Sequence, residues 1–462
     1  MSLPERDHAL VRGAWVLTSA PAGAIRDGCV VIEDGSIVGV GDYDAVRADH
    51  AAVTVIGDGT GIVLPGLINA HAHMSEALIP GIGSDLTLFE WGTRVVTPAG
   101  AALTEEMARE GTRLKAAELI HSGVTFVNDM FHYYRSGSLA SLGVVAGLAS
   151  VGMRAVVAFG AEDAFGAFGG NRFSVAEALD EHRALASAAA DTDLIGFRMG
   201  VGTMLGSSDE LLEAAVAIGH EKGWPVHTHL AEVHEEVVEA RLRWGRNSVE
   251  HAAEIGLLDL DVLAAHLIWI GESDVELLAS HGTAGVHNPV ANMILGSGVS
   301  PVPRMLTAGI RLGIGTDGTA SNDSQNMLEA IKMAALLQKN ARLDPSSLRA
   351  RDVIAMATIG GAEALGVADL VGSLEPGKRA DLVLLGSTVE LANIHDPYQQ
   401  VAFCTSPRSV SDVWIDGRRV LADGTLTTLD ETEQIARCRP LAEALVRESG
   451  LAEKGMSRLC EI

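Results

Sequence analysis

The sequence predicts an α/β protein: a (β/α)8 barrel of the TIM type with a small β-sandwich built from both ends of the chain. Three observations predict it. From Leu64 onward, short apolar runs alternate with amphipathic stretches of roughly ten to twenty residues, the pattern of repeated βα units. Eight such runs can be counted, and eight parallel strands with helical crossovers close into a barrel whose reactive groups belong at the C-terminal strand ends. The segments before and after this region lose the helical period and read as short strands separated by turn signals.

Residues 1–62 form the first part of the sandwich. The runs Gly13-Ala14-Trp15-Val16-Leu17, Gly28-Cys29-Val30-Val31-Ile32 and Ser36-Ile37-Val38-Gly39-Val40 are strands, with Glu33-Asp34-Gly35 as a tight turn. Residues 63–366 form the barrel. Its strands are expected at Ile62 to Asn69, Gly123 to Asp129, Met153 to Gly160, Leu194 to Gly202, Trp224 to Leu230, Val262 to Leu267, Thr283 to His287 and Ile310 to Thr316. Between them, Thr104 to His121, Val175 to Ala190, Ser208 to Lys222 and Ser273 to His281 carry the apolar spacing of helices, and Ser324 to Leu337 and Arg351 to Leu365 follow the eighth strand. An open doubly wound sheet is the alternative, and it would scatter the polar strand ends that a barrel brings together. Residues 367–430, whose β-rich stretch opens at Gly372-Ser373-Leu374 and includes Gly377-Lys378-Arg379-Ala380-Asp381-Leu382, complete the sandwich, and residues 431–462 form a C-terminal helix over Glu431 to Leu451.

Composition narrows the function. With 462 residues, 47% of them hydrophobic, the chain can bury a large core. A formal charge of −26 repels nucleic acid and anionic membranes. The four cysteines, Cys29, Cys404, Cys438 and Cys460, form no C-x-x-C pair, which fits a reducing cytoplasm and leaves no cysteine metal site. No apolar run reaches 18 residues and no secretory leader is recognisable, so a cytoplasmic location is expected.

The polar strand ends carry the chemistry. The first strand ends Asn69-Ala70-His71-Ala72-His73, and residues two apart on a strand face the same way, so His71 and His73 converge on one point. The fifth ends His227-Thr228-His229-Leu230-Ala231-Glu232, the sixth Ala265-His266, the seventh His287-Asn288-Pro289 and the eighth Gly315-Thr316-Asp317-Gly318. Three histidines and one carboxylate suit zinc or iron(II) with a position left for water. The ligands assigned are His71, His73, His229 and Asp317, with His227 as the rival to His229. A divalent metal lowers the pKa of bound water to roughly 7. Glu232, three residues beyond His229, is placed to carry the water proton, and His266 to orient the attacking oxygen. Asp317 serves as both ligand and catalytic residue. His132 and the other histidines in predicted helices and loops read as surface or capping residues.

These motifs together resemble the amidohydrolase superfamily over nearly the whole chain, most closely the branch of methylthioadenosine/S-adenosylhomocysteine deaminases and s-triazine amino- and chlorohydrolases. The resemblance rests on Pro65-Gly66-Leu67-Ile68-Asn69-Ala70-His71-Ala72-His73, His227 to Glu232, Ala264-Ala265-His266, His287-Asn288-Pro289 with Asn292 and Gly296, and Gly315-Thr316-Asp317-Gly318 with Ser321-Asn322. It implies one metal per barrel and hydrolysis of a C–N or C–Cl bond on a heteroaromatic ring. It also implies substrate contacts at Glu90, in Phe89-Glu90-Trp91, and at Arg154, in Gly152-Met153-Arg154, with Arg172 as a second carboxylate-binding arginine; the rival reading of Arg154 is a structural ion pair at a strand start. Thr203 and His287 complete the substrate-binding set. Where those deaminases commonly read Gly-Pro-His-Ser-Pro, this chain reads Gly202-Thr203-Met204-Leu205-Gly206, and Pro80-Gly81 stands where they often have Arg-Gly.

The expected function is metal-dependent hydrolytic deamination of an aminated ring, an adenosine derivative or a related purine or pterin, with release of ammonia. An s-triazine-type chlorohydrolase or aminohydrolase is the nearest alternative, and a non-catalytic barrel scaffold a remote one. The expected cofactor is one divalent metal, zinc with iron as the variant. The expected partners are the small heteroaromatic substrate and further copies of the chain in a homo-oligomer.

Overall fold

The computed structural model describes residues 3–83, 85–164 and 173–451. Its central sheet is all parallel. The first barrel strand, Leu67–His73, pairs with the second, Val124–Phe131, which pairs with the third, Arg154–Ala161. The fourth, Met199–Thr203, runs beside the fifth, Val226–Leu230, followed by the sixth, Val262–His266, the seventh, Ala284–His287, and the eighth, Leu312–Ile314. Ile314 pairs with Asn69, and Gly200 and Val201 of the fourth strand pair with Gly160 and Ala161 of the third, so the sheet closes on itself. Every residue of the second and third strands is buried, as expected of parallel strands covered by helices on the outside and side chains within.

The crossover helices begin where side chains can satisfy their first N–H groups. Thr104 caps Glu105–His121, Ser174 forms a capping box with Glu177 ahead of Val175–Ala190, and Ser208 caps Asp209–Lys222, which Gly223 ends in a left-handed conformation. The expected helix over Arg351 to Leu365 is two, Ala350–Met356 and Ile359–Leu365, because Thr358 between them leaves the helical region. The tail helix is Glu431–Glu448.

The strand expected at Ile62 to Asn69 also divides. Ile62–Pro65 pairs with Ala9–Leu17 and, antiparallel, with Leu382–Leu385, so it belongs to the terminal sheet; only from Leu67 does the chain join the barrel. Gly66 is the joint. A Cβ there would lie 2.0 Å from Thr125 Oγ1, and its N–H donates to Asp381 O at 2.9 Å. The terminal sheet has nine hydrogen-bonded strands drawn from both ends of the chain, around an apolar core that includes Val11, Val30, Ile32, Leu382, Leu384 and Trp414. Among the described residues no helix is long and apolar enough to cross a membrane.

Arg154 corrects a sequence expectation. It starts the third strand, so it sits at the barrel base, away from the strand ends where His73 and Glu232 lie. Its guanidinium grips Asp381 at 2.8 and 2.9 Å and reaches Asp416 at 3.4 Å, and it is 5% exposed. The side chain ties the barrel to the terminal sheet, on the opposite side of the barrel from the strand ends. Arg172 lies outside the described residues.

Candidate metal centre and active site

The C-terminal ends of the first, fifth and eighth strands bring His71, His73, His229 and Asp317 into one buried cluster. Asp317 Oδ1 is 3.3 Å from His71 Nε2 and 3.1 Å from His73 Nε2, and the Nε2 atoms of His73 and His229 are 3.2 Å apart. Donors held about 2.0–2.2 Å from a tetrahedral ion stand roughly 3.3–3.6 Å from one another. His71 Nε2 is buried and makes no hydrogen bond, although Asp317 is near. The residues therefore fit a divalent metal.

The other ring nitrogens fix the direction of each imidazole. His73 Nδ1 lies 2.6 Å from Met130 O and His229 Nδ1 2.6 Å from Gly202 O; a carbonyl only accepts, so both carry a proton on Nδ1 and aim Nε2 inward. His71 Nδ1 is 3.0 Å from His227 Nε2, whose Nδ1 meets Asn128. His227 thus stands behind His71 as its support, and His229 takes the inward position. Burial presses His71 down to about 4. It also opposes charge on His73, but the bond and field of Asp317 outweigh it and lift that imidazole to about 9. Metal ligation needs the neutral ring, so binding would release the His73 proton.

Beside the cluster, Glu232 Oε2 is 3.5 Å from His266 Nε2, which is 3.9 Å from Asp317 Oδ2. His266 Nδ1 is oriented by Asn292 Oδ1 at 2.9 Å. Glu232 sits in a turn where Ala231 is left-handed, φ 54°, and burial raises its carboxyl to about 7. A group half-protonated near neutrality both takes and gives a proton.

The cluster opens into a cleft of about 480 Å³, counted with its mouth. Leu88, Trp91, Val96 and Leu295 form apolar wall, and Glu76, His132, Tyr134, Glu162 and Thr203 line it as well. Thr203, expected to contact substrate, is among these lining residues. Two other residues expected to contact substrate lie outside the lining. Glu90 is exposed and accepts from the Thr87 N–H and hydroxyl, completing the cap of the helix Leu88–Trp91; its neighbours line the cleft and it does not. His287 is fully enclosed, held neutral by burial at about 3, and lies outside the cleft lining. His132, expected as a bland loop residue, stands in the cleft with its ring 5.0 Å from that of His73 and 5.5 Å from that of His229. Glu162 was not anticipated, and burial raises it to about 7. Both directly follow strand ends, after Phe131 and Ala161, the kind of position that marks the other site residues.

Known proteins resemble this chain over nearly its whole length. The chain is 36% identical over 431 residues to 5'-deoxyadenosine deaminase of Methanothermobacter thermautotrophicus, covering 92% of this chain and 96% of that one. It is 35% identical over 448 residues to 5-methylthioadenosine/S-adenosylhomocysteine deaminase of Syntrophobacter fumaroxidans, covering 96% and 100%. An adenosine deaminase from Xanthomonas campestris, solved with bound zinc, superposes with a TM-score of 0.87 at 29% identity over 96% of this chain and 100% of that one. Residues 62–420 match the model of the amidohydrolase family, and the chain belongs to that family.

Proposed function

We propose that the chain is a zinc-dependent hydrolase that deaminates an adenosine derivative, with His71, His73, His229 and Asp317 holding the ion. The observation that carries this is Glu232 converging on His266 beside the ligand cluster, at 3.5 Å. When bound, the ion lowers the pKa of a water to about 7 and so supplies the nucleophile. Glu232 takes the water proton and returns it to the ring nitrogen next to the amino-bearing carbon. His266, aimed by Asn292, steadies the attacking oxygen. A second proton, from the added hydroxyl, reaches the amino nitrogen; the C–N bond breaks, ammonia leaves, and the ring keeps a carbonyl oxygen.

One ion per barrel is expected. Among the described residues the three candidate ligand groups, His71-His229-His266, His73-His132-His229 and His71-His73-Asp317, share their histidines, so they do not supply separate ligand sets for several ions. Chloride leaves a ring without protonation whereas an amine requires it, so the presence of both Glu232 and Asp317 favours ammonia over chloride as the leaving group. The unpaired state of Cys29, Cys404 and Cys438 suits a reducing cytoplasm. Assembly into a homo-oligomer rests on the family resemblance and is checked by light scattering.

The test is a panel assay on the zinc-loaded protein. Ammonia release is followed with 5'-deoxyadenosine, 5-methylthioadenosine, S-adenosylhomocysteine, guanine, a pterin and an aminotriazine, and chloride release with a chlorotriazine. Ammonia from an adenosine derivative is the expected result. Chloride release alone would make the chain a chlorohydrolase.

A further inference from the structure

Glu162 has no place in the proton path of Glu232 and His266, yet it lines the same cleft and is 5% exposed. The chain around it is fitted to it. Thr203 Oγ1 donates to its Oε1 at 2.9 Å, and the Tyr134 hydroxyl and the Thr203 backbone N–H are further partners. A Cβ on Gly202 would lie 2.6 Å from Glu162 Cγ, and one on Gly206 2.2 Å from Glu162 Oε1. Asp163, next in the chain, accepts from the Ser208 N–H and hydroxyl, and Gly206 O accepts from the amides of Asp163 and Ala164. The loop reading Gly202-Thr203-Met204-Leu205-Gly206, where similar deaminases read Gly-Pro-His-Ser-Pro, is thus shaped around one carboxylate.

That carboxylate is under-used. Its two oxygens offer about four lone-pair sites, and the Thr203 hydroxyl, the Thr203 N–H and the Tyr134 phenol leave at least one of them open to the cleft. In the same cleft His132, 9% exposed, has an Nδ1 with no partner. No lysine or arginine is among the described residues lining the cleft. A buried acceptor with spare capacity, and with no cation beside it among the described residues, calls for donors from a ligand.

We propose that Glu162 determines substrate specificity by accepting a pair of hydrogen-bond donors that the substrate carries away from its scissile amino group. The pair is the vicinal hydroxyls of a ribose or the N–H groups of a second amino-bearing ring edge; each presents two hydrogens to one carboxylate. The inference rests on the deaminase reading, since it takes the scissile amino group to lie at the ligand cluster.

The test compares the zinc-loaded protein with its Glu162→Gln variant, in which the side chain keeps its size and an oxygen for Thr203 but exchanges an acceptor for a donor. Dissociation constants are measured by calorimetry for three products: 5'-deoxyinosine, with both hydroxyls; guanine, as the product of 2,6-diaminopurine, with the amino group that remains; and 9-methylhypoxanthine, with neither. At least a tenfold weakening is expected for one donor-bearing product relative to 9-methylhypoxanthine. Loss confined to 5'-deoxyinosine identifies the ribose, and loss confined to guanine the ring edge. In turnover, KM for the corresponding substrate rises more than kcat falls. Equal weakening of all three products, no weakening, or a fall in kcat with KM unchanged would overturn the proposal. Should Glu162→Gln fail to fold, Glu162→Asp, which withdraws the carboxylate by one methylene, gives the same contrast. Binding needs no turnover, so absence of ammonia from every substrate would count against the deaminase reading while the binding arm still decides the role of Glu162.

Discussion

Glu236 accepts the backbone N–H groups of Ala231 and Glu232, each at 2.9 Å, one on each carboxylate oxygen. Two charge-assisted bonds hold a turn that needs holding, since Ala231 occupies the left-handed region at a cost on the order of 1–2 kcal/mol. Glu232 is aimed by that turn. Two substitutions separate aiming from proton transfer. Glu232→Gln is expected to keep its zinc, by elemental analysis, while kcat falls by about 10²–10⁴; His229→Ala should lose the zinc as well. Glu236→Ala is expected to lower kcat at least about tenfold with KM little changed and zinc retained. Near-normal turnover in Glu232→Gln would remove that residue from the proton path. At this scale the candidate metal and proton residues, which the fold gathers into one cluster, were legible because each sits at a strand end in a doublet or short motif. The substrate contacts were not. Glu90 and Arg154 share residue type and local sequence with binding residues, but one closes a helix cap and the other starts a strand, and only the fold distinguishes the two ends of a strand.

Elements were legible in number and order but not at their joints. The apolar run from Ile62 to Ile68 was read as one strand although Pro65-Gly66, a break signal, interrupts it where the pairing partner changes. The change is imposed by crowding at Gly66 against Thr125. The two β-rich ends were recognisable as one small domain, while the Arg154–Asp381–Asp416 contact that fastens it to the barrel spans more than 200 residues and leaves no local signal. Removing one partner from such a buried pair costs about 3–5 kcal/mol, so Arg154→Met is expected to lower the thermal midpoint by calorimetry and to leave KM unchanged. A raised KM without loss of stability would return Arg154 to the binding site. The same network sets an acid limit. Burial would raise Asp416, but Arg6 and Arg379 outweigh it and hold its carboxyl below the ordinary range. A depressed carboxylate contributes stability that is complete above its unfolded pKa of about 4 and is lost as pH falls through the folded value. Thermal midpoints measured from pH 7 down to pH 3 should therefore fall below about pH 4, and Asp416→Asn should flatten that limb.

Over the whole molecule, the barrel closes through backbone pairing between strands three and four and between strands eight and one. The candidate ligands draw on strands one and eight at one of those closures and on strand five across the barrel. An ion at this point would link three strands at the mouth, while the base is held by Arg154 and the terminal sheet. Metal and fold should therefore be coupled unevenly. A ligand present at about a thousand times its Kd adds about 4 kcal/mol to the folded state if it binds only there. Chelation by dipicolinate is expected to lower the thermal midpoint by several degrees and restoration of zinc to recover it. Amide hydrogen exchange should locate the change: protection at His71–His73, His227–Leu230 and Gly315–Gly318 falls on chelation, and protection in Val410–Ile415 of the terminal sheet is unaltered. Uniform loss of protection across both regions would mean that the ion supports the fold as a whole. An unchanged midpoint with tightly bound zinc removed would mean that the cluster is preformed without it, as the ion pair between His73 and Asp317 allows.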